Sequence, residues 1–574
     1  MNQSSYRAMG TGRSSGIRLE ARALLLVLAL AWPLLARPEN TNVMLKPPVP
    51  LPGGLSLHPV VTSVGKTQDL VTVRWFGIQG PFQVQHSTVA DTNLWSNLGE
   101  PTFGSSLTTA LPGELGFFRV LSGRPVTNSQ AGGTMNYVGA SYCSDCHQGA
   151  HQNWELTSHA KAFDTLKAIK QEKNSECLVC HTVGFGTPVG FKDEATTPHL
   201  AGVQCENCHG PAGNHVANIR DRSARPKVTI AAEVCGGCHN DFHHPTFDEW
   251  KGSPHGTVDP EVIASILAQG EPRMLSCGAC HSGAVRSALL KRVEQPSTPL
   301  PSREDAAYFA ITCSVCHDAH PESGGSAEGP EAQLRNPTFS TINFSYSTST
   351  NTSFAQQYNP NVQLCGQCHN MRGARWQDTS RPPHHSPQYN LLIGQGAYDL
   401  GRSSIAGHGQ IPNQCVQCHT HPHPADPVTA ENPNYTGHGF EVRTENCTIC
   451  HISNATVEIV KGRTQTNTKN QIESVRALLD SWATNKAPAE LLSKYGRLAW
   501  EYSAPGELSN PGSDPKIVGP TAAEQAKIPD AIKQARLNLY LVQHDGSFGV
   551  HNGEYSRYLL NVAKTNVTTA LGRL

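Results

Sequence analysis

The stretch Val138-Gly-Ala-Ser-Tyr-Cys143-Ser-Asp-Cys146-His147 contains the pattern that governs most of this chain. Its core is two cysteines separated by two residues and followed at once by a histidine, and this motif occurs nine times. The cysteines are Cys143/Cys146, Cys177/Cys180, Cys205/Cys208, Cys235/Cys238, Cys277/Cys280, Cys313/Cys316, Cys365/Cys368, Cys415/Cys418 and Cys447/Cys450. The histidines that follow them are His147, His181, His209, His239, His281, His317, His369, His419 and His451. The motifs use all 18 cysteines, so none is left over.

The spacing within the motif is typical of covalent haem attachment. Two thiols three positions apart can each form a thioether with one vinyl group of the porphyrin, and the adjacent histidine then binds the iron. Structural zinc sites take cysteine pairs two at a time and do not require the histidine, whereas nine is an odd number. Disulfides do not require the histidine either. The sequence therefore predicts nine covalent haem c groups, each with its iron held by the motif histidine.

The chain has 27 histidines, and the 18 outside the motifs decide what the irons can do. A haem with two histidine ligands has no open site, whereas a haem without the second ligand can bind a small molecule. The segments Trp154–His159 and Trp250–His255 share a W-x-x-x-x-H pattern, which indicates equivalent roles. The predicted second ligands are His159, His215, His255, His320, His385 or its neighbour His384, His408, His421 or His423, His438 and His551. The chain can thus supply two histidines to every iron, although nothing in the sequence requires it.

The first 36 residues have the features of a Sec-type signal peptide. Arginines at positions 7, 13, 18 and 22 precede the apolar run Ala23–Leu35, and cleavage after about Ala36 fits the pattern. A signal anchor is the alternative, but the run is shorter than the roughly 20 apolar residues of a membrane span. The sequence predicts an exported protein, periplasmic or extracellular, with no membrane span in the mature chain.

Composition divides the rest of the chain into four parts. A Pro-rich linker at 37–54 leads into residues 55–123, which lack cysteine and alternate like the strands of a small fibronectin-like or Ig-like β-sandwich. Residues 137–455 carry the nine motifs, and short helices and loops are expected to wrap the haems there. Residues 466–574 are expected to be helical. The predicted fold is therefore mainly α with extensive loops, with a small all-β sandwich before the haem core and a helical region after it.

Local patterns place several elements more closely. Apolar residues from Ile472 to Trp482 recur at helical spacing, which predicts a helix beginning near residue 466. A second helix is predicted over Thr521–Val542, and a third begins near Asn552, a favourable N-cap. The loop between these two can return His551 to an iron. The Ser/Thr/Asn-rich stretch Ser340–Ser353 predicts a surface loop.

Four stretches resemble the cytochrome c-554 family: Val138–His147, Trp154–His159, Cys177–Gly186 and Gly202–Pro211. That family is similar in haem arrangement to hydroxylamine oxidoreductase and the pentahaem nitrite reductases. The resemblance is specific over residues 137–260 and looser through 451, and near the C terminus it rests on Gly549-Val-His551-Asn. It implies haems packed in parallel and perpendicular pairs with mostly two histidine ligands. Carried over by motif, His159 and His215 would be axial ligands.

The chain also departs from these relatives. The pentahaem nitrite reductases have lysine in place of the motif histidine at their catalytic haem, whereas all nine motifs here end in histidine. Hydroxylamine oxidoreductase forms a tyrosine crosslink to a haem, and the sequence alone does not show which of the 14 tyrosines would lie beside a particular haem. The histidine in every motif argues against a nitrite reductase of the pentahaem type.

The sequence thus favours a multihaem cytochrome that transfers electrons between a redox-protein donor and acceptor. The 45 basic and 46 acidic side chains argue against nucleic acid as a partner, because nucleic acid selects a basic excess. The alternative is an oxidoreductase that acts on a small inorganic nitrogen or sulfur compound at one five-coordinate haem. A structural or filament-forming cytochrome is the third class, and a homo-oligomer stays open.

Overall fold

The computed structural model describes residues 60–67, 70–76, 82–88, 96–102, 106–110, 116–122, 136–226, 229–292, 295–320, 333–335, 364–402, 404, 407–411 and 414–572. The predicted signal peptide, the Pro-rich linker and the Ser340–Ser353 loop lie outside these residues. Contacts divide the chain into two compact units, of which one contains the strands up to Ser122 and the other extends from Gly123 onwards.

The first unit contains two three-stranded antiparallel sheets. Its strands are β1 (Val60–Thr67), β2 (Leu70–Phe76), β3 (Phe82–Ser87), β4 (Ser96–Thr102), β5 (Ser106–Ala110) and β6 (Phe117–Ser122). The strand orders are β1-β2-β5 and β4-β3-β6. Alternate residues of β2 (Val71, Val73 and Trp75) pack in one buried cluster with Val84 of β3 and Val120 of β6. The predicted small all-β region is confirmed.

The motif region is built from short helices joined by loops. Its α-helices are Ala140–Ser144, Gln148–Glu155, Ala162–Ala168, Ser175–His181, Cys205–His209, Gly213–Ala217, Glu233–Gly236, Thr246–Gly252, Pro260–Gln269, Glu271–Arg273, Ala279–His281, Gly283–Lys291, Arg303–Tyr308, Cys313–Cys316, Gln388–Ile393 and Gln414–His419. Short 3₁₀ turns cover Pro198–Leu200, Arg222–Ala224, Pro254–Gly256, Gly407–Gln410 and Thr444–Ile449, and a π-turn covers Met274–Gly278. The predicted mixture of helix and loop is therefore confirmed.

The C-terminal region is helical, as predicted, but its first helix begins earlier than expected. That helix covers Asn454–Asn485 and starts three residues after His451. The side chain of Ser453 accepts a hydrogen bond from the backbone N–H of Thr456 and so caps the helix. Its first turns are mostly polar and exposed and lack a continuous apolar stripe. This is why apolar periodicity located only the later part of the helix.

The remaining helices are Ala489–Tyr495, Asp530–His544 and Gly553–Ala570. The helix predicted over Thr521–Val542 is split, because a 3₁₀ turn covers Glu524–Lys527 and Pro529 precedes the helix that begins at Asp530. A further 3₁₀ turn covers Gly496–Trp500. The prediction for Asn552 is confirmed, since its side chain accepts a hydrogen bond from the N–H of Tyr555.

The C-terminal helices enclose the largest apolar cluster of the described residues. Leu479, Trp500, Tyr540 and Leu559 are fully buried within it. The clusters of the motif region are smaller and lie around Phe163, around Ile266 and around Trp250. Among the helices that the structure describes, none is both long and apolar enough to span a membrane.

Candidate haem-binding sites

Each motif is folded so that its three functional side chains lie on one side of a helical turn. Residues three and four apart are neighbours on a helix, so the two thiols and the histidine project together. The backbone shows this turn directly, because the N–H of the motif histidine donates to the carbonyl of the first cysteine. The N–O distances are 2.8 Å at His147, 3.0 Å at His239, 2.8 Å at His317, 2.9 Å at His369 and 2.8 Å at His451.

Seven motif histidines face a second histidine from elsewhere in the chain. The distances between ring centroids lie between 6.0 and 6.4 Å. The pairs are His239 with His159, His209 with His320, His369 with His255, His281 with His384, His317 with His438, His451 with His408 and His419 with His551.

This separation matches two imidazoles on opposite sides of one iron. A bound nitrogen lies about 2 Å from its metal, and the centroid of the five-membered ring lies about 1.1 Å behind that nitrogen. The two centroids of a bis-histidine site are therefore about 6.2 Å apart. Rings in direct van der Waals stacking would be closer, as His385 and His544 are at 3.9 Å. The seven pairs thus fit an iron between their rings.

Several of these histidines are oriented by a hydrogen bond at Nδ1, which leaves Nε2 free for a metal. Nδ1 of His408 lies 2.8 Å from the carbonyl oxygen of Val550, and Nδ1 of His419 lies 2.9 Å from that of Phe440. The motif histidine His181 lies 2.7 Å from the carbonyl of Ala162 in the same way. His551 uses the carboxylate of Asp545, at 2.6 Å.

Burial keeps most of these imidazoles neutral, which is the form that binds a metal. Burial, helped by the nearby His369, lowers the pKa of His255 to about 4. Burial and the charge of Arg372 lower the pKa of His384 to about 3. His551 differs, because burial lowers its pKa but the Asp545 carboxylate outweighs that effect, so that the pKa stands above its ordinary value.

Three predicted second ligands do not face a motif histidine within the described residues. At the His384-His385 pair it is His384 that faces His281, whereas His385 stacks on His544. His421 contacts His423, with ring centroids 5.5 Å apart. His215 has a buried Nδ1 with no hydrogen-bond partner, an arrangement that is costly unless something binds it.

Two motif histidines, His147 and His181, have no second imidazole at this separation among the described residues. His181 nevertheless lies near His159 and His244. Burial is the main cause of the lowered pKa of both histidines, and the charge of His181 lowers it further. His244 also lies 5.9 Å from His239, centroid to centroid. The sequence signal that could identify His244 is its place in a His-His pair, like that of His384.

Contacts between cysteines of different motifs show how the attachment sites follow one another. Numbering the motifs 1 to 9 in chain order, five pairs of thiols lie close together and strongly shift each other's pKa: Cys143 with Cys205 (1 and 3), Cys180 with Cys238 (2 and 4), Cys235 with Cys313 (4 and 6), Cys280 with Cys368 (5 and 7) and Cys365 with Cys415 (7 and 8). Three further pairs are close enough to influence each other's ionisation: Cys208 with Cys235 (3 and 4), Cys316 with Cys365 (6 and 7) and Cys418 with Cys447 (8 and 9). Together these eight contacts connect all nine motifs.

The contacts repeat with a period of three motifs. The contacts 1–3, 2–4 and 3–4 recur as 4–6, 5–7 and 6–7. Each recurring contact uses the same cysteine of its motif, the first or the second, as the contact that it repeats. The facing histidines follow the same period, because His159 comes after motif 1 and faces motif 4, whereas His255 comes after motif 4 and faces motif 7.

The W-x-x-x-x-H repeat supplies the scaffold of this period. The indole N–H of Trp154 donates to the carbonyl of Val203 at 2.9 Å, and that of Trp250 donates to the carbonyl of Ile311 at 2.8 Å. The two acceptor residues, Val203 and Ile311, each lie two positions before a motif. The N–H of Val203 donates to the carbonyl of His159 at 3.0 Å, and the N–H of Ile311 donates to the carbonyl of His255 at 3.1 Å. The equivalent roles predicted for the two segments thus have equivalent geometry.

Comparison with known proteins identifies the relatives of this arrangement. The family described as "Cytochrome c554 and c-prime" matches residues 142–210 and 364–452. Cytochrome c-554 of Nitrosomonas europaea is 30% identical over 178 residues, which cover 25% of this chain and 74% of that protein. The multiheme cytochrome MtrA of Shewanella baltica is 26% identical over 278 residues, which cover 41% of this chain and 76% of that protein.

Among solved structures, the outer cell wall cytochrome OcwA aligns with 76% of this chain and 100% of its own. The TM-score is 0.49 and the sequence identity 19%.

Proposed function

This chain belongs to the cytochrome c-554 family of multihaem c-type cytochromes, and on that basis we propose that it transfers electrons between redox partners along nine haem c groups. The observation that carries the proposal is the set of seven facing histidine pairs, at the separation that one iron between two imidazoles requires. When bound, haem c supplies a reversible one-electron exchange at its iron.

The residues of the chain do three things for this exchange. The 18 motif cysteines would hold the porphyrins covalently, and the paired histidines would supply two ligands to each iron between them and so keep small molecules away. The Nδ1 hydrogen bonds of His408, His419 and His551 fix the ring orientation and make the ligands more basic. We expect these features to favour ferric iron and low reduction potentials. The chain has only six methionines, which also favours histidine over methionine as the second ligand.

The contacts between thiols support a continuous route through the protein. The succession 1–3–4–6–7–8–9 passes from one end of the motif region to the other, with motifs 2 and 5 as side branches. Among the described residues, the exposed motif cysteines are Cys146 of motif 1, Cys208 of motif 3 and Cys450 of motif 9. Electrons would enter and leave at motifs 1 and 9, because these two motifs are the ends of the succession and each has an exposed cysteine.

The location and the partners follow from the same proposal. Haem c is attached to exported chains, and the Sec-type features of residues 1–36 point to the same route. We propose a periplasmic or cell-surface protein whose donor and acceptor are redox proteins that dock at motifs 1 and 9.

The test compares a variant that lacks one motif of the succession with a variant that lacks a branch motif. The full chain is attached to an electrode through a C-terminal tag, and the charge passed at fast scan rates measures how many haems are electrically connected. Replacing Cys313 and Cys316 by alanine removes motif 6 and should disconnect motifs 1 to 4. Replacing Cys277 and Cys280 removes motif 5, a branch, and should cost the charge of that site alone.

Iron and haem analysis of the wild-type chain comes first, with nine haems per chain expected, and far-UV circular dichroism checks that both variants fold. Equal losses of charge in the two variants would contradict the proposed succession. A count below nine would contradict the stoichiometry.

A second function is favoured by one observation, the absence of a facing imidazole at His147 and His181 among the described residues. An iron held by one histidine can bind a small nitrogen or sulfur compound, and the chain would then be an oxidoreductase. Carbon monoxide binding by the reduced protein, together with turnover of hydroxylamine, nitrite or tetrathionate, would support this function. A reduced spectrum that carbon monoxide leaves unchanged would exclude it.

A further inference from the structure

Two imidazoles and a carboxylate meet at a place that the haem motifs do not use. His385 lies just before the helix Gln388–Ile393, His544 is the last residue of the helix Asp530–His544, and Glu507 lies in the loop between helices. Nδ1 of His385 is 3.4 Å from Oε2 of Glu507, and Nε2 of His544 is 3.5 Å from Oε1. One ligand atom from each residue lies within 4.8 Å of the other two.

The His544 side chain is almost completely buried, with 2% of its surface exposed, and it is aimed into this cluster. Its Nδ1 lies 2.6 Å from the carbonyl oxygen of Pro383, so Nδ1 carries the proton and Nε2 carries the lone pair. Nε2 is buried and has no hydrogen-bond partner. A buried lone pair therefore faces a carboxylate, which is unfavourable unless a cation lies between them.

The distances fit a small tetrahedral ion. Ligand atoms held at about 2.0 to 2.1 Å from a tetrahedral zinc ion are about 3.3 Å from one another. The two measured edges, 3.4 and 3.5 Å, are close to this value. Two histidines and one glutamate are also a ligand set of zinc sites that keep a fourth position open. Calcium and magnesium select oxygen ligands and are disfavoured here.

We propose that His385, His544 and Glu507 form a binding site for a non-haem divalent transition metal of the zinc class. The half-exposed Glu507 and the exposed His385 leave the open coordination position on the solvent side, whereas His544 anchors the ion from the interior. The site adjoins His384, whose ring centroid is 6.4 Å from that of His385. The ion would therefore sit beside the histidine pair His281–His384 and add positive charge there.

The test uses the full haem-loaded chain. The protein is treated with a chelator, incubated with zinc sulfate and desalted, and zinc and iron are then measured by elemental analysis. The wild type should retain one zinc per chain. His385→Ala and Glu507→Gln should each reduce the retained zinc at least tenfold, and both act on side chains near the surface, so an unchanged haem spectrum can verify the fold.

His243→Ala is the matched control. His243 is also an exposed histidine beside a carboxylate, with Nδ1 3.6 Å from Asp241, but it is not part of the cluster, so this variant should retain the zinc. A wild type that holds no zinc after incubation overturns the proposal. Retention in His385→Ala and Glu507→Gln equal to that of the wild type, or an equal loss in His243→Ala, also overturns it.

Discussion

Nδ1 of His551 donates a hydrogen bond to the carboxylate of Asp545 over 2.6 Å, and the ring of His551 faces the motif histidine His419. Asp545 is 1% exposed in its side chain and also accepts a hydrogen bond from Ser547. A buried carboxylate behind a ligand histidine makes the imidazole more basic and a better partner for ferric iron.

Asp545→Asn should therefore raise the reduction potential of one haem. The amide leaves the imidazole less basic, which weakens ferric relative to ferrous ligation. We expect a rise of roughly 60 mV, equivalent to a tenfold change for one electron. A spectroelectrochemical titration measures it, with Asp164→Asn at an exposed helix position as the control that shifts nothing. A potential that stays the same or falls would refute the role given to Asp545.

His255→Ala should convert one haem from low spin to high spin. The substitution removes the ring that faces His369 at 6.0 Å and leaves that iron with one histidine. Electron paramagnetic resonance of the oxidised protein should show about one additional equivalent of high-spin ferric iron, compared with the wild type. His421→Ala, which removes a ring that contacts His423 and no motif histidine, should add none. The reverse result would show that the pairing is wrong.

Trp250→Phe should destabilise the motif region. The indole N–H donates to the carbonyl of Ile311, and phenylalanine keeps most of the packing while leaving that carbonyl without its donor. The expected cost is about 1 to 2 kcal/mol in the free energy of unfolding, read from denaturant titrations. Trp154→Phe should cost a similar amount because its indole is bonded in the same way. Tyr142→Phe, at an exposed position, is the reference and should change stability by less than about 0.5 kcal/mol.

Glu501 should make the stability depend on pH. Burial raises the pKa of this fully buried carboxyl to about 7, although Tyr540 donates a hydrogen bond to it at 2.7 Å. The folded pKa is higher than the unfolded value, so the contribution to stability is complete below about pH 4.5 and is lost as the pH rises through 7. The loss is on the order of 3 kcal/mol.

Glu501→Gln removes the titration, so its unfolding free energy should vary less between pH 5 and pH 8 than that of the wild type. Glu473→Gln, on the exposed face of the long helix, should keep the slope of the wild type. If Glu501→Gln and the wild type have the same slope, Glu501 is not the group responsible.

The motifs could be recognised from sequence because their chemistry is local. Cys143, Cys146 and His147 lie within one helical turn, and so do their counterparts in the other eight motifs. The repeated tryptophan in Trp154–His159 and Trp250–His255 was visible for the same reason, and the capping residue Asn552 was identified from its immediate neighbours. Such features need only a few consecutive residues.

Features that depend on distant parts of the chain could not be read in this way. Which of two adjacent imidazoles, His384 or His385, faces His281 is decided by packing against the helix that ends at His544. The cluster of His385, Glu507 and His544 is invisible in the sequence because its members belong to three separate segments. Apolar periodicity does not locate the start of the helix at Asn454, because its first turns are polar.

The three-motif period has a consequence for how such a protein can change its length. The contacts of motifs 1 to 3 with each other and with motif 4 are reproduced by motifs 4 to 6 and motif 7, down to the choice of cysteine. Removing or duplicating one complete period would therefore bring together motifs that contact each other through equivalent cysteines. Removal of a single motif would join surfaces that never meet in the native protein. The succession of haem sites can thus be lengthened in steps of three motifs.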